Sequence, residues 1–308
     1  MTTIEEPSNG HTVPASSLSV RSVIRSTLLF CTTFPSAAVA AAILLVMLFM
    51  VVSADLWTPF ERDKSGSMRL LPMMSEARTG ATHILGTDDI GRDFFTRMLH
   101  GGRVSIAVGL IAPTLGIAFG AIFGIIGAYF GGPTDLIIQR LTDTLMSIPS
   151  IVVSMAITIA LGFTVPVVIL AISIGISPYA SRLLRSHALT LRDSQYIEAA
   201  QSIGASHWRI IFRHLVPNSW APWIVMLAVN VGNAIVLEAS LSYLGIGISP
   251  PTPSWGNLLS RANAFYYENP HLVITPGLTI TVVVLCANMF GDAIRDKLDP
   301  RLRGVGAS

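Results

Sequence analysis

Charged residues are scarce in this chain, and their scarcity limits the class of protein it can be. Asp, Glu, Lys and Arg make up only 12% of its 308 residues, whereas 51% are hydrophobic. A soluble domain usually carries about 25% charged residues, so lipid is expected to surround much of this chain. The net charge of +2 and the lack of a Lys/Arg block give no indication of nucleic-acid binding.

Cysteine is nearly absent as well. The two cysteines, Cys31 and Cys286, lie in or beside apolar stretches, whereas a secreted disulfide framework has more cysteines at closer spacing. We therefore predict that both are small buried hydrophobic residues.

Three functional signatures are also missing from the sequence. It has no Gly-x-x-x-x-Gly-Lys-Ser/Thr phosphate loop, so the chain cannot hydrolyse ATP through the usual motif. It has no cluster of His, Asp or Ser at catalytic spacing, which disfavours a membrane enzyme. It also lacks evident internal repeats and several ionisable groups at membrane depth, both of which a secondary transporter is expected to have.

The N-terminal apolar run is too long for a cleavable signal. Arg21 and Arg25 precede a charge-free run of 29 residues from Ser26 to Ala54. A signal h-region has about 7–15 residues, whereas about 20 suffice to cross a bilayer. We predict an uncleaved first span. Residues 20–28 suit either an amphipathic surface helix or a plain cytosolic extension of that span.

Long charge-free runs predict six membrane-spanning helices. These runs are 26–54, 104–134, 144–181, 214–237, 239–260 and 269–291. The third contains a Gly-Phe-Thr-Val-Pro turn at 162–166, which predicts two antiparallel helices at about 136–161 and 165–185. The two runs flanking Glu238 hold one helix, at about 219–245. Backbone groups in lipid must pair internally, and the runs show no alternation, so the predicted fold is an all-α polytopic membrane protein.

The predicted organisation follows from these spans. It comprises a cytosolic segment, partly disordered (1–34), TM1 (35–57), an extracytoplasmic loop with a short helix (58–102), a core with TM2 to TM6 (103–303), a cytosolic loop within that core (190–217), and a tail (304–308). The side with both termini and the cytosolic loop carries 11 basic residues, and the other side carries 8. The excess predicts a multi-pass membrane protein with both termini in the cytoplasm.

The cytosolic loop carries a helix–turn–helix pattern. Asp193 or Ser194 can cap a first helix that holds Glu198 near its positive end, and Gly204 can adopt the left-handed conformation that ends it. Ser206 can then cap a second helix, from His207 to Leu215, before Pro217.

This pattern resembles the EAA loop of ABC importer permeases. The match consists of Glu198-Ala199-Ala200, Gly204 after three further residues, and Val216-Pro217, where the family usually has Leu-Pro. The resemblance implies that the loop docks into a groove on a separate ATPase subunit. The residues it assigns to this coupling role are Glu198, Ala199, Ala200, Gly204, Ala205 and Ser206.

A second motif narrows the resemblance. Residues 83–93, HILGTDDIGRD, resemble the HPLGTDxxGRD signature of the C-type permease in dipeptide, oligopeptide and nickel importers, with Ile84 in place of proline. The matching residues are Gly86, Thr87, Asp88, Gly91, Arg92 and Asp93. We predict that Asp88 caps a short helix broken by Gly101-Gly102. Capping and surface ion pairs explain the acidic residues and His83, so no metal site is predicted.

Three further stretches resemble the same subfamily. They lie at 129–143, 238–256 and 291–301, so that the likeness covers residues 80–303. Charges at membrane depth are functional candidates by default. Arg140 and Asp143 lie three residues apart and can form an ion pair on one helix face. For Glu238, a packing or inter-subunit hydrogen-bond role and direct solute contact are both open.

Together these features predict a permease subunit of an ATP-driven importer, and the alternative is a secondary transporter or channel subunit. The resemblance implies a place in the bacterial inner membrane, a sister permease, two ATPase subunits or domains that bind ATP and Mg, and an extracytoplasmic solute-binding protein. No cofactor is expected on this chain. A peptide, a nickel complex or a glutathione-like molecule remains open as the solute.

Overall fold

Helices dominate the computed structural model, which describes residues 32–77 and 80–298. The helices are α1 (Pro35–Val52), α2 (Ala54–Trp57), α3 (Phe94–Phe130), α4 (Gly132–Met146), α5 (Ser150–Leu161), α6 (Val165–Arg192), α7 (Gln195–Ser202), α8 (His207–Ile210), α9 (Val216–Asn218), α10 (Trp220–Tyr243), α11 (Trp255–Ala262) and α12 (His271–Leu298). A π-helical turn, Ile211–Leu215, joins α8 to α9. Two short strands, β1 (Ser75–Glu76) and β2 (Thr82–His83), pair antiparallel. The predictions for residues 20–28 and 304–308, and for Cys31, fall outside the described residues.

Five of the described helices, α1, α3, α6, α10 and α12, are each long and apolar enough to cross a membrane. α4 and α5 pass the same test as a pair, which gives the sixth span, but they meet at an angle of 89°. The prediction of a single helix at about 136–161 is therefore wrong. Pro149 lacks an N–H group and disfavours helical geometry at the preceding residue, so the chain turns at 147–149 before α5 begins.

The second span also differs from its prediction. α3 begins at Phe94, inside the segment assigned to the 58–102 loop, and continues through Gly101-Gly102 without a break. The two glycines allow close packing instead of ending a helix. A Cβ added to Gly102 would lie 2.7 Å from Val51 Cγ2 and 2.9 Å from Trp255 Cζ2.

α3 and α6 pack along a row of small residues. The facing pairs are Gly116 with Ser173, Gly120 with Ser177, and Gly124 with Ser181. A Cβ added to Gly116 would lie 2.6 Å from the Ser173 carbonyl oxygen, so no side chain fits there. In lipid, where apolar burial does not drive helices together, small residues allow this close contact. Residue numbers rise together along both helices, so α3 and α6 run parallel.

Apolar clusters lie at the two ends of the bundle. At one end, Phe94 and Met98 pack with Trp255, Leu258 and Leu272. This end, with residues 58–93 and 245–270, is called the motif end. At the opposite end, which we call the loop end (residues 193–219), a second cluster joins α3 and α6 to the loop between α6 and α10. Its buried members are Ile125, Ala128, Tyr129, Ala188, Ile197, Ile210, Ile211 and Leu215.

Candidate functional site

The first helix of the loop end closes in a Schellman motif. The Ala205 N–H donates to the Ala200 carbonyl at 3.0 Å, and the Gly204 N–H donates to the Gln201 carbonyl at 2.9 Å. Gly204 has φ +80°, and an added Cβ would meet nothing within 4 Å. Glycine is therefore required by the backbone conformation and not by lack of space.

The second helix of the loop starts where the sequence predicted it. Ser206 accepts a hydrogen bond from the Arg209 N–H at 3.4 Å, and α8 begins at His207. The helical path does not stop at Pro217, because the π-helical turn and α9 carry it on to α10. Proline at the start of α9 is tolerated since the first N–H groups of a helix need no helical partner.

The two alanines of the EAA pattern face different ways. Ala199 and Glu198 are exposed, whereas Ala200 is buried together with Ile197 on the side of α7 that packs against the bundle. Of the two alanines, only Ala199 offers free surface for a close approach by a partner.

The most prominent surface of the loop was not predicted from the sequence. Ile203 is 85% exposed, and the Trp208 and Phe212 rings are exposed and stacked at 5.9 Å between centroids. By α-helical spacing these two residues would share one stripe with Ile211 and Leu215, which are buried, so no signal in the sequence distinguished the exposed pair from the buried one. Exposed apolar groups clustered on a loop between spans are typical of a protein-docking surface.

The loop is tied to the end of α3 by polar contacts as well as by apolar packing. Tyr129 Oη lies 2.9 Å from His207 Nδ1. At the end of α6, where the loop begins, Arg192 Nη1 donates to the Ala128 carbonyl at 2.9 Å. The start of α8 and the end of α6 are therefore both in direct contact with α3.

At the motif end, Asp88 closes a turn and does not cap a helix as predicted. Its Oδ1 accepts from the Ile90 N–H at 3.1 Å and from the Arg92 N–H at 2.9 Å, and its Oδ2 accepts from Arg92 Nε at 2.7 Å. Gly86 and Gly91, at φ +72° and +81°, permit the tight path of the chain around it. Thr87 is buried, and its hydroxyl donates to the Met68 carbonyl at 2.7 Å.

Asp93 is the residue that caps α3. Its Oδ2 accepts from the Thr96 N–H at 2.7 Å, and its Oδ1 lies 2.8 Å from Nδ1 of the buried His83. His83 Nε2 lies 2.8 Å from Ser67 Oγ, a connectivity that resembles a hydrolase triad. The Ser67 N–H donates to the Gly91 carbonyl, and the Phe60 ring stacks on the imidazole at 4.3 Å. We therefore interpret the three residues as a structural contact that fixes the 83–93 segment against residues 60–67.

Glu238 is completely buried near the motif end of α10. Its Oε2 accepts from Ser105 Oγ and its Oε1 from Ser242 Oγ, both at 2.8 Å. Each serine oxygen in turn accepts a loop N–H at 3.2 Å, from Trp255 and from Ile248 respectively. Glu238 thus has its hydrogen-bond partners within its own chain and no exposed surface in this structure.

The predicted ion pair between Arg140 and Asp143 does not form. Asp143 pairs with Arg182 of α6, and Arg140 is exposed. The bend after α4 lays this helix beside α6, where a second cross-helix pair forms, with Arg185 Nε 2.6 Å from Asp135 Oδ1. Asp143 therefore pairs with Arg182 on the neighbouring helix instead of with Arg140, three residues away on α4.

Comparison with known proteins adds a further finding. The family described as binding-protein-dependent transport system inner membrane component matches residues 116–304. A dipeptide transport system permease protein of Alkalihalophilus pseudofirmus is 42% identical over 223 residues, covering 72% of this chain and 73% of the relative. A glutathione transport system permease protein of Pectobacterium atrosepticum is 39% identical over 223 residues, covering 72% and 74%.

The fold is similar to that of a solved transporter. An inward-facing structure of the MetNI methionine ABC transporter matches with a TM-score of 0.52 and 16% identity, covering 66% of this chain and 96% of that one. At this identity the likeness concerns the fold alone.

Proposed function

This chain belongs to the family of binding-protein-dependent transport system inner membrane components, and from that premise we propose that it forms half of the pathway of an ATP-driven importer for peptides or related small solutes. It is a multi-pass membrane permease of the ABC type. Relatives named for dipeptide and glutathione transport support a short peptide as the solute. Family membership favours this function over a secondary transporter or channel.

The loop end is the proposed docking site for the ATPase. The observation that carries this proposal is the turn at Gly204, which separates the exposed Ile203 from a helix that carries the exposed, stacked rings of Trp208 and Phe212. The ATPase would bind ATP and Mg, because this chain has no phosphate loop of its own. Both chain termini would share the cytoplasmic side with this loop.

The motif end is the proposed outer face. Residues 58–93 and 245–270 would receive the solute-binding protein there, at the opposite end of the bundle from the ATPase. A sister permease would supply the other half of the pathway. Closure of two ATPases would move the loop end, and the Tyr129–His207 contact and α10 would carry that movement into the spans.

Gly204→Val tests the docking site. A β-branched residue at φ +80° costs about 1–3 kcal/mol of backbone strain, so the turn would re-aim α8. We expect a membrane-inserted permease that no longer retains its ATPase on co-purification. Gly245→Val is a matched control, since Gly245 has φ +77° and equally open space but lies at the motif end. This control should retain the ATPase.

Trp208→Ala combined with Phe212→Ala tests the surface itself without backbone strain. The double variant should bind the ATPase at least about tenfold more weakly, because two exposed aromatic anchors are lost. Full ATPase retention by both the Gly204 and the aromatic variants would show that another surface of the chain makes the contact.

A further inference from the structure

The Glu238 carboxylate orients two serine hydroxyls that hold the loop after α10. A serine hydroxyl has one proton to donate and lone pairs with which to accept. Ser105 and Ser242 each donate that proton to Glu238 and accept the N–H of Trp255 or Ile248. The carboxylate therefore fixes both hydroxyls in the orientation that accepts the loop amides, and each bond in such a chain polarises and strengthens the next.

Burying the Glu238 carboxylate costs free energy that a residue with no role but to fill space would not need to cost. Glu238 lies at membrane depth with 0% exposure, and the donors that meet its two oxygens are neutral hydroxyls. Burying a carboxylate carries a large desolvation penalty that neutral donors offset only in part. An apolar residue of similar volume would pack α10 without that penalty. The carboxylate is thus suited to holding the loop in a defined arrangement.

The loop held by Glu238 is an ordered part of the motif end. Trp255 is buried, and its Nε1 donates to the Met98 carbonyl at 3.0 Å. Asn257 completes a capping box with Ser254 at the start of α11. Arg97 donates to the Pro251 carbonyl at 3.4 Å and pairs with Asp63 at 3.0 Å. These contacts join the loop to α3 and, through Trp255, to the residues around Glu238.

α10 connects this loop to the opposite end of the molecule. Its 24 residues correspond to a length of about 36 Å. The Ser219 N–H donates to the Leu215 carbonyl at 3.1 Å, and the Trp223 N–H donates to the Ser219 carbonyl at 3.1 Å, so the helical path continues back to the π-helical turn. Such turns occur frequently at functional positions in helices. One continuous element thus joins the Glu238 contacts to α8.

We propose that Glu238 is a positioning residue that links docking of the loaded binding protein on residues 245–262 to the ATPase-facing loop through α10. The proposal rests on the proposed function of this chain as an importer permease. It assigns to Glu238 a role in signal transfer from the outer face, without contact to the solute or to ATP.

The test uses the intact complex, co-expressed with its sister permease and ATPases and reconstituted in lipid nanodiscs. ATP hydrolysis is measured with and without the binding protein loaded with a dipeptide mixture. In Glu238→Ala, we expect basal hydrolysis to change by less than about twofold and stimulation by the binding protein to fall about fivefold or more, as expected for loss of buried hydrogen bonds. Glu238→Gln, which keeps one acceptor, should be intermediate.

Single serine variants separate signalling from folding. Ser105→Ala and Ser242→Ala should reduce stimulation in the same direction as Glu238→Ala. Ser154→Ala is the matched control, because Ser154 is also fully buried and donates to the Ala171 carbonyl at 3.2 Å, away from Glu238. It should leave the ratio of stimulated to basal hydrolysis unchanged.

Three results would overturn the inference. These are full stimulation in Glu238→Ala, an equal loss of basal and stimulated hydrolysis, and a failure of the Glu238 and serine variants alike to assemble, which would assign the contacts to folding. A wild-type complex that binds its ATPases but shows no stimulation would instead refute the proposed function.

Discussion

At the scale of single residues, three aspartates of the 83–93 motif perform three different tasks. Asp88 closes a turn, Asp89 lies 3.6 Å from Arg261, and Asp93 caps α3 while it holds His83. The sequence shows three identical side chains within six positions, and only the path of the backbone distinguishes them. This is the physical reason why the helix cap was assigned to Asp88.

Asp93→Ala should be clearly more destabilising than Asp89→Ala. It removes the α3 cap, which costs about 0.5–2 kcal/mol, and leaves the buried His83 Nδ1 without its hydrogen-bond partner, Asp93 Oδ1. Thermal unfolding of the purified permease, followed by loss of its monodisperse peak, measures the effect. Asp89→Ala is the control and should shift the midpoint much less, since its pair with Arg261 is long and partly exposed. Equal shifts in the two variants would contradict the capping role.

Two roles that follow from a few neighbouring residues were predicted correctly, the left-handed Gly204 and the Ser206 cap. The side-chain cap predicted at Asp193 or Ser194 does not form, because Ser194 Oγ donates to the Leu191 carbonyl instead.

Roles set by tertiary neighbours were not predictable. Asp143 found its partner on α6, and the exposure of Trp208 could be recognised only once Ile211 and Leu215 were buried.

At the scale of elements, composition predicted the number of spans better than their shape. An apolar run of about 20 residues averages over local detail, so six spans were found even though one of them is bent by 89°. The start of α3 was missed because glycine pairs end helices in isolation. Here close packing of Gly101-Gly102 against Ser254 and Trp255 favours the helix instead.

Replacing glycine by alanine should have opposite effects on stability at two helical positions. Gly120 lies in the α3–α6 contact, whereas Gly277 lies on α12 with open space around it. In Gly120→Ala, the new Cβ would lie 2.6 Å from Ala180 Cβ and 2.8 Å from the Ser181 nitrogen, so the helices must separate at a cost of about 1–3 kcal/mol. In Gly277→Ala on α12, the nearest atom is 4.0 Å away, and the helix should gain up to about 1 kcal/mol.

Thermal stability of the two purified variants in one detergent, measured beside the wild type, tests this difference. We expect Gly120→Ala to unfold at a lower temperature and Gly277→Ala at the same or a higher one. If both variants unfold at the wild-type temperature, α3 and α6 do not approach as closely as the Gly120 contacts require.

At the scale of the whole molecule, the two sides of the membrane differ little in their number of basic residues, and many of these residues are paired with acids. Basic residues number 11 on the predicted inner side and 8 on the other, a small excess. Six of the latter are paired with acids, among them Arg92 with Asp88, Arg97 with Asp63, and Arg103 with Asp55. The hydrogen bond from Arg103 also holds the pKa of Asp55 below its usual range, so that pair stays ionised.

Cysteine labelling of intact cells tests the resulting orientation. In a background without Cys31 and Cys286, single cysteines at Glu76 and Tyr267 should react with a membrane-impermeant maleimide from outside. Both positions are exposed at the motif end. A cysteine at Ser206, exposed at the loop end, should react only after the membrane is opened. The basic residues of 55–103 reduce the excess on the predicted inner side without reversing it, since 11 basic residues on that side face 8 on the other. External labelling at 206 with protection at 76 and 267 would show the opposite orientation. Trp208 and Phe212 would then lie outside the cell, where the ATPase could not reach them.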